Sequence, residues 1–424
     1  MAVDPRQVVG AFLTLSMFAM LANMIKKDHF DTMEVKLPGT SGVHLDVFPS
    51  VAEGRIETIH TANIVKGPWK QSNFLKPCWT NPGSKEGDQA KGFITFSLSH
   101  GPHYHVSQVA DAVVVARYLG ATLVIPDIKG TKTGDKRKFE EIYNVDKFMK
   151  SLNGVVKIVR EAPNELRTVK PAPVKVPSQV TEDYISEHIE PIFRMKGNLR
   201  LKTFFPAVNM KIREKRSDMD SVRCLGMFGS LELKPEIQEV VDMMVQRLRT
   251  LSRSSNGNFI AVDLSIELLQ QKSCQVSQND NLAGRKRCYT PGEVGTFLRQ
   301  IGFQSETVIY LTQSGWHESL STLKEIFPKI YTKENIIPAE KKDKFLKSGS
   351  PGLEKALDFH ICSRSDVFVP AISGLFYANV AGQRIPYGKT QILVPNGSST
   401  STSATDYLSA FVSQKSHLAY SCFC

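Results

Sequence analysis

The sequence contains few cysteines and few patterns of metal-binding residues. Its seven cysteines are too few for a disulfide-rich scaffold, and their odd number leaves at least one unpaired. No Cys-x-x-Cys or His-x-x-x-His spacing occurs in the 424 residues. The sequence therefore predicts neither a metal site nor a bound cofactor.

The sequence also lacks a concentrated basic region, although 53 Lys and Arg against 42 Asp and Glu give a formal charge of +11. The basic residues form three separate groups, at residues 132–138, 211–216 and 285–287. No RNP, zinc-finger or helix-turn-helix signature accompanies them, so we predict solvated loops and no nucleic-acid partner. Only the group at 285–287 lies near the candidate site residues described below.

One uncharged apolar run, residues 8–25, has the length of a membrane-spanning helix. Eighteen helical residues at about 1.5 Å each just reach across a hydrocarbon core of about 30 Å. We predict an uncleaved signal-anchor helix, with a cleaved signal peptide or a buried helix as the alternatives. The flanking charges do not decide the orientation. Positive charges usually mark the cytosolic side, but here the lumenal side would carry two, Lys26 and Lys27, and the cytosolic side one, Arg6.

The rest of the chain divides by composition and periodicity. The predicted parts are a cytosolic tail and anchor at 1–25, a stem at 26–68, α/β lobes at 69–253 and 254–395, and a disordered Ser/Thr-rich tail at 396–424. The tail contains the single N-x-S/T sequon, at Asn396, which we expect to be glycosylated if lumenal. Cys274 and Cys288 bracket a polar segment, and we predict a disulfide bridge between them, with two buried thiols as the alternative.

Strand-like and helix-like segments alternate through both predicted lobes. We predict strands at 93–98, 121–125, 155–159, 259–262, 308–311 and 367–369, and helices at 107–118, 235–251 and 319–327. A further helix begins at Thr290, where Thr, Pro and Glu occupy the cap, first and third positions. Residues 170–177, with three prolines, are predicted to be a loop. Such alternation indicates parallel sheets.

The most informative segment, residues 354–388, contains Ser365 and Asp366 ahead of the apolar run Val-Phe-Val-Pro. This segment resembles the plant O-fucosyltransferase family, whose members carry a similar SDVFVP run followed by a Gly-His-Arg element. Here that element reads Gly-Gln-Arg and ends at Arg384, so the Arg is kept and the His is not. The resemblance continues through residues 101–126 and 288–333, and more loosely through 200–224. The GPHYHVSQ and AVDL segments are most similar to the family's mannan synthesis-related proteins.

The resemblance implies a fold and a function. The fold would be GT-B-like, with two doubly wound Rossmann-type lobes separated by a cleft. The function would be metal-independent transfer from a GDP-sugar, GDP-fucose or GDP-mannose, to a glycan acceptor in cell-wall mannan synthesis. The layout would be that of a single-pass type II protein of the Golgi membrane, with mannan synthase as a partner. The alternative is a catalytically weak accessory protein that supports mannan synthase.

The resemblance also implies the site residues. In the loop after the first strand, Gly101 is kept and would face the substrate together with His103. Either His103 or His105 is a candidate general base, with a surface or structural His as the alternative for each. From the segment 354–388, the nucleotide contacts would be Ser365, Asp366 and Arg384. Trp316 and His317 are weaker candidates for contacting a base or a sugar.

The strongest departure from the family lies after the predicted strand 259–262. The family's His-Leu-Arg falls on Asp263, Leu264 and Ser265, whereas its Glu is kept as Glu267. The family Arg is thought to stabilise the leaving diphosphate, and loss of one such donor costs on the order of 10²–10³ in rate. Three explanations are open. Another cation, from Arg384 or residues 285–287, could cover the diphosphate, or the chain could bind the donor without efficient catalysis. Alternatively, Ser265 is an isolated change in an otherwise active lineage. Asp263 could act as a base or orient a ribose, and a loop-tying carboxylate is the alternative.

Overall fold

The computed structural model describes residues 68–79, 91–130, 136–161, 164, 170–206, 210–212, 219–270, 288–347, 351–395 and 400–424. The predicted anchor, the stem up to residue 67, Asn396, Cys274 and the basic group at 285–287 lie outside these residues. Among the residues that are described, no helix has both the length and the apolar character needed to cross a membrane.

The described strands and helices alternate along the chain, as predicted. The strands are β1 (Phe93–Leu98), β2 (Thr122–Val124), β3 (Asp127–Lys129), β4 (Lys136–Lys138), β5 (Ile158–Val159), β6 (Ala172–Pro177), β7 (Asn198–Phe204), β8 (Ile260–Asp263), β9 (Ile309–Leu311), β10 (Ile330–Tyr331) and β11 (Val367–Pro370). The α-helices begin with α1 (Pro102–Leu119), α2 (Val145–Ser151), α3 (Glu182–Tyr184), α4 (Glu190–Lys196), α5 (Asp220–Cys224), α6 (Pro235–Leu251), α7 (Ile266–Leu269) and α8 (Pro291–Gln300). They are followed by α9 (Ser321–Ile326), α10 (Lys333–Ile336), α11 (Pro351–Arg364), α12 (Leu375–Arg384), α13 (Ala410–Ser413) and α14 (Ala419–Cys422).

The first sheet is built around β1, which pairs in parallel with β2, β3 and β7. Both β2 and β7 pair with Phe93 and Ile94, so these two strands flank β1 on opposite sides. Strand β5 extends the sheet beyond β2 and β6 extends it beyond β7, while β4 joins β3 in antiparallel pairing. The strand order therefore reverses between β1 and β7.

The prediction of a loop over residues 170–177 was wrong, because β6 forms there. Strand β6 pairs only with β7 and forms an edge of the described sheet. Proline lacks a backbone N–H and is tolerated at such an edge, where the ladder has no second partner to satisfy. The three prolines are therefore compatible with a strand.

The second sheet has the order β10-β9-β8-β11, and all of its strands are parallel. The chain moves outward from β8 to β9 and β10, then returns to place β11 on the other side of β8. The strand order thus reverses between β8 and β11. In open α/β sheets, ligands bind outside the carboxyl ends of the strands at such a reversal.

Alternate residues of the second sheet contribute to two different apolar cores. Ile260 and Val262 belong to a core within the second lobe, with the apolar residues of α8 and α9. Ala261 and Tyr310 point to the opposite face and join the core of the first lobe. Because side chains alternate across a strand, one sheet can serve both cores. The two lobes therefore share a continuous apolar interior.

The carboxyl-terminal part of the chain is ordered over residues 400–424, so the prediction of a disordered tail was wrong for these residues. Two disulfides, Cys78–Cys424 and Cys224–Cys422, bind the tail to the first lobe. His417 is fully buried; its Nε2 donates to the Ala378 carbonyl of α12 at 3.0 Å, and its Nδ1 accepts from a backbone amide. Cys288 is disulfide-bonded, whereas its predicted partner Cys274 lies outside the described residues.

Candidate functional site

The carboxyl edge of the second sheet carries Asp263 at the end of β8 and the loop 371–374 at the end of β11. These two positions flank the reversal in strand order. Helix α12 begins directly after that loop, so its first turn also lies at this edge. The amino end of a helix presents unpaired amide groups and a partial positive charge, both suited to an anionic group.

The carboxyl edge of the first sheet carries the loop from β1 to α1. Gly101 has a φ of 113°, in the left-handed region that favours glycine. A side chain there would also be crowded, since a Cβ would lie 3.0 Å from the Lys355 side chain and 3.4 Å from the His103 ring. The backbone conformation therefore favours glycine at this position, and a larger residue would also have to displace the Lys355 side chain by a few tenths of an ångström.

The two carboxyl edges meet at the amino ends of α1 and α12. The Asn379 amide of α12 donates to the His103 carbonyl at 2.8 Å, and the rings of His103 and Phe376 lie 5.3 Å apart. Lys355 of α11 donates to the His100 carbonyl at 3.4 Å. The ligand-binding edges of the two sheets therefore face each other, and a molecule at one edge is within reach of the other.

Asp263 is a buried carboxyl group at the carboxyl end of β8, with 8% of its surface exposed. It accepts a hydrogen bond from the Thr312 hydroxyl at 3.1 Å. Burial raises the pKa of Asp263 to about 7, and the bond from Thr312 opposes that shift. A carboxyl group with such a pKa can exchange a proton near neutral pH, as a general base must.

Ser265 and Glu267 lie next to Asp263 and bond to each other. The Ser265 hydroxyl donates to Glu267 at 2.7 Å, and this bond is the main cause that lowers the pKa of Glu267. Gln313 connects them to the loop after β9: its amide nitrogen donates to Glu267 at 3.3 Å and its oxygen accepts from the Ile266 amide at 3.0 Å. Glu267 is therefore a carboxylate held in place beside Ser265.

A buried ion pair, Lys333 with Asp358, stabilises the same edge of the sheet. Lys333 donates to Asp358 at 2.7 Å and to the Thr312 carbonyl at 2.9 Å. Tyr310 donates to the second oxygen of Asp358 at 2.8 Å. Lys333 and Asp358 are almost completely buried. This pair fixes the backbone at Thr312, and Thr312 in turn holds Asp263.

The two predicted histidines of the first loop have different positions. His103 lies at the meeting of the lobes, and no hydrogen bond to its Nδ1 is found within the described part of the chain. His105 is 1% exposed, and its Nδ1 lies 2.7 Å from the Tyr143 hydroxyl in the core of the first lobe. Burial lowers the pKa of both imidazoles to about 3. Such burial favours a structural role for His105.

Ser365, Asp366 and Arg384 lie at the opposite edge of the sheet, which corrects the prediction that they contact the nucleotide. They are grouped at the amino end of β11, where Arg384 is fully buried and donates to Ser365 Oγ at 2.8 Å. The same guanidinium donates to the carbonyls of Cys362, Ser365, Asp366, Lys389 and Gln391. Asp366 accepts from the Phe259 amide and pairs with Arg249 and Lys389. All three side chains are buried and hydrogen-bonded at the amino end of β11, so they are unavailable to a ligand.

The structure thus brings Asp263, Ser265 and Glu267 together and places Gly101 and His103 opposite them. Sequence reasoning missed Thr312, Lys333, Lys355 and Asn379. Lys333 and Thr312 follow β10 and β9, so their position after predicted strands could have indicated them. Asn379 and Lys355 lie inside helices, where no local pattern distinguishes them. In the described residues, no group of three or more His, Cys, Asp or Glu is placed to hold a metal ion.

These features define an α/β protein whose candidate site lies where the ligand-binding edges of two sheets face each other. The sequence model of the family described as GDP-fucose protein O-fucosyltransferase matches residues 103–387. The chain belongs to this family.

The chain is also similar over its full length to curated plant proteins. It is 52% identical to Protein MANNAN SYNTHESIS-RELATED 1 of Arabidopsis thaliana and 48% identical to Protein MANNAN SYNTHESIS-RELATED of Trigonella foenum-graecum, each with 100% of both chains covered. The resemblance to the mannan synthesis-related subgroup is thereby confirmed. Among solved structures, POFUT1 in complex with GDP aligns with a TM-score of 0.43 and 12% identity, covering 73% of this chain and 100% of that one.

Proposed function

We propose that this protein is a glycosyltransferase that transfers a sugar from GDP-fucose or GDP-mannose to a glycan acceptor. The observation that carries the proposal is the meeting of the two carboxyl edges, one of which carries Asp263 at the end of β8, in a member of the O-fucosyltransferase family. The relatives named mannan synthesis-related support an acceptor or product in mannan synthesis. We further propose mannan synthase as a partner.

In the proposed reaction the donor lies along the carboxyl edge of the second sheet. The amino end of α12 binds the diphosphate, and Lys355, an exposed cation at the meeting of the lobes, supplies charge in place of the missing family Arg. An acceptor hydroxyl attacks the anomeric carbon and gives its proton to Asp263. The bond from that carbon to the diphosphate oxygen breaks, and the nucleoside diphosphate leaves with the electron pair.

We propose that transfer proceeds without a metal ion. The positive charge would come from Lys355 and the helix terminus, which are fixed in the protein. The sequence contains one Asp-x-Asp triplet, residues 218–220, of which Asp218 lies outside the described residues. Addition of a chelator tests this part of the proposal, since activity should be unchanged.

We place the protein in the Golgi, with the folded part in the lumen. The disulfides support a lumenal location, because such bonds persist in oxidising compartments. The proposed anchor at residues 8–25 and the glycosylation of Asn396 complete this layout. Glycosidase sensitivity of the protein expressed in plant cells tests both topology and glycosylation.

Calorimetric titration of the full chain with GDP, GDP-fucose and GDP-mannose tests the function, with UDP as the control nucleotide. We expect GDP and one of the two GDP-sugars to bind, and UDP to bind at least tenfold more weakly. Radiolabelled transfer to mannan oligosaccharides then separates an enzyme from an accessory protein. Binding without transfer would favour the accessory role, and the absence of GDP binding would overturn the proposal.

A further inference from the structure

Trp316 differs from the other two tryptophans of the chain in what covers it. Trp69 stacks edge-on against Phe303, and Trp79 against Phe423, each with ring centres 4.9 Å apart. Trp316 is 45% exposed, and among the described residues its ring contacts the Lys324 ammonium, whose Nζ lies 4.7 Å from the ring centre. A large aromatic surface therefore remains open to solvent.

The loop that carries Trp316 is held firmly by its neighbours. Gln313 bonds to the backbone and side chain of α7, and Ser314 bonds through its hydroxyl to Glu354. The Ser314 carbonyl also accepts from the Glu334 amide at 3.0 Å. Because these bonds anchor the loop backbone ahead of Trp316, a ligand that stacks on the ring has less loop freedom to restrict, which lowers the ordering entropy of binding.

The position of this loop relates it to the candidate site. The loop follows β9, so it lies at the carboxyl edge next to Asp263, at a strand spacing of about 5 Å. Strand β9 is on the side of β8 away from β11 and α12. A donor whose diphosphate lies at α12 would therefore extend its nucleoside past Asp263 toward Trp316.

A carboxylate lies beside the same loop. A Cβ at Gly315 would meet the Glu334 carboxylate at 3.0 Å. In the described part of the chain this carboxylate makes no hydrogen bond or ion pair. It also lines a surface cavity of about 470 Å³, together with Arg247, Asn335, Ile337, Ala339 and Lys342. That volume is within the range of small-molecule sites.

We propose that Trp316 is the stacking platform for the donor's base and that Glu334 selects guanine. The inference rests on the proposed function and assigns the base-binding part of that site. Purine rings stack on an aromatic face, and Lys324 leaves one face of Trp316 free. Guanine presents two neighbouring N–H donors on one edge, whereas adenine presents one donor beside an acceptor. A carboxylate accepts from both guanine donors and repels the adenine acceptor.

The test is calorimetric titration of full-length Trp316→Ala with GDP and with fucose 1-phosphate, which lacks the base. We expect the Kd for GDP to rise about tenfold while that for fucose 1-phosphate stays within twofold. Phe74→Ala is the control, because Phe74 is a 75% exposed aromatic residue outside the carboxyl edge. Tryptophan fluorescence should also be quenched by GDP in the wild type and not in Trp316→Phe, which should keep most of the affinity.

Glu334→Gln provides the second measurement. We expect it to reduce the preference for GDP over ADP at least fivefold, while the melting temperature stays within 2 °C of the wild type. If Trp316→Ala leaves the Kd for GDP unchanged, the inference fails although the proposed function stands. An increase confined to the KM for the acceptor would also overturn it, by making Trp316 an acceptor platform. If wild-type protein binds no GDP, both proposals fail.

Discussion

Asp263 and Asp366 lie at opposite ends of two neighbouring parallel strands. Asp263 ends β8 and is in register with Pro370, the last residue of β11, whereas Asp366 directly precedes β11. The Asp366 carboxylate contacts Arg249, Lys389 and the Phe259 amide. Within the described part of the chain, the Asp263 carboxyl group accepts one hydrogen bond, from the Thr312 hydroxyl. The two carboxyl groups therefore differ in function: one closes the start of the sheet, and the other is poised at its ligand-binding edge.

Asp366→Asn should destabilise the protein without weakening donor binding. The change removes the charge that pairs with Arg249 and Lys389. We expect the free energy of unfolding to fall by about 2–3 kcal/mol. Breaking a fully buried ion pair costs about 3–5 kcal/mol, and the cost is smaller here because Arg249 is 38% exposed to solvent. Urea denaturation measures this loss. The Kd for GDP, corrected for the folded fraction, should stay within twofold, and a tenfold rise would restore Asp366 as a nucleotide contact.

Asp263 should make activity depend on pH near neutrality. Its folded pKa of about 7 lies above the ordinary value of 3.8, so folding favours the protonated form. Its contribution to stability is full below about pH 4 and is lost as the pH rises toward about 7. Activity changes in the opposite direction, because the general base must be ionised.

The kcat/KM of the wild type should therefore rise through about pH 7 and then level off. Asp263→Asn should lower kcat by at least 10²-fold and flatten this profile, while the Kd for GDP changes little. A profile of unchanged shape in the variant would show that another group titrates.

Ser265→Arg by itself should leave turnover nearly flat. Glu267 lies within hydrogen-bonding distance of residue 265, so a new guanidinium would pair with this carboxylate rather than with a diphosphate. The double variant Ser265→Arg, Glu267→Gln removes that competitor, and its turnover should rise about tenfold or more above the wild type. Single-turnover transfer assays compare the two, with Ser265→Ala as the control. Equal rates in the single and double variants would refute the competition.

Buried histidines should make the protein sensitive to acid. Burial lowers the pKa of His103 and His105 to about 3, and that of His417 to about 4. Because these values lie below the ordinary 6.5, their contribution to stability is full above about pH 6.5 and is lost as the pH falls. The urea midpoint should therefore decrease from pH 7 to pH 5. His417→Gln, which can replace both hydrogen bonds without titrating, should show a smaller decrease.

The disulfide Cys224–Cys422, one of the two that hold the tail, should contribute measurably to stability. The double variant Cys224→Ser, Cys422→Ser should lose about 2–5 kcal/mol in the free energy of unfolding. Non-reducing urea titration measures the loss, and Cys362→Ala, a change at a free cysteine, is the control. Reductant should destabilise the wild type and the control more than the double variant. Equal sensitivity to reductant would mean that Cys224–Cys422 contributes nothing.

Much of the secondary structure could be predicted from the sequence, because the local signals are strong. Strand β1 and helix α6 have the predicted bounds, because their apolar residues recur at regular spacing and Pro marks the first position of the helix. The capping box at Thr290 is present as predicted. Family membership was also readable, since the SDVFVP segment is long and specific.

Only the tertiary structure decided which of these segments form the site. A short motif shows which residues are adjacent to a strand, but the pairing of β8 with β11 decides which strand ends meet at the reversal. Asp366 precedes its strand, so even its sequence position indicated the amino edge. The connections of Cys422 and Cys424 could not be derived, because spacing does not determine disulfide pairing. Local sequence sets local geometry, whereas the whole fold decides which distant residues pack and bond together. Here the fold brought the tail to α12 and Asn379 of α12 to the His103 carbonyl.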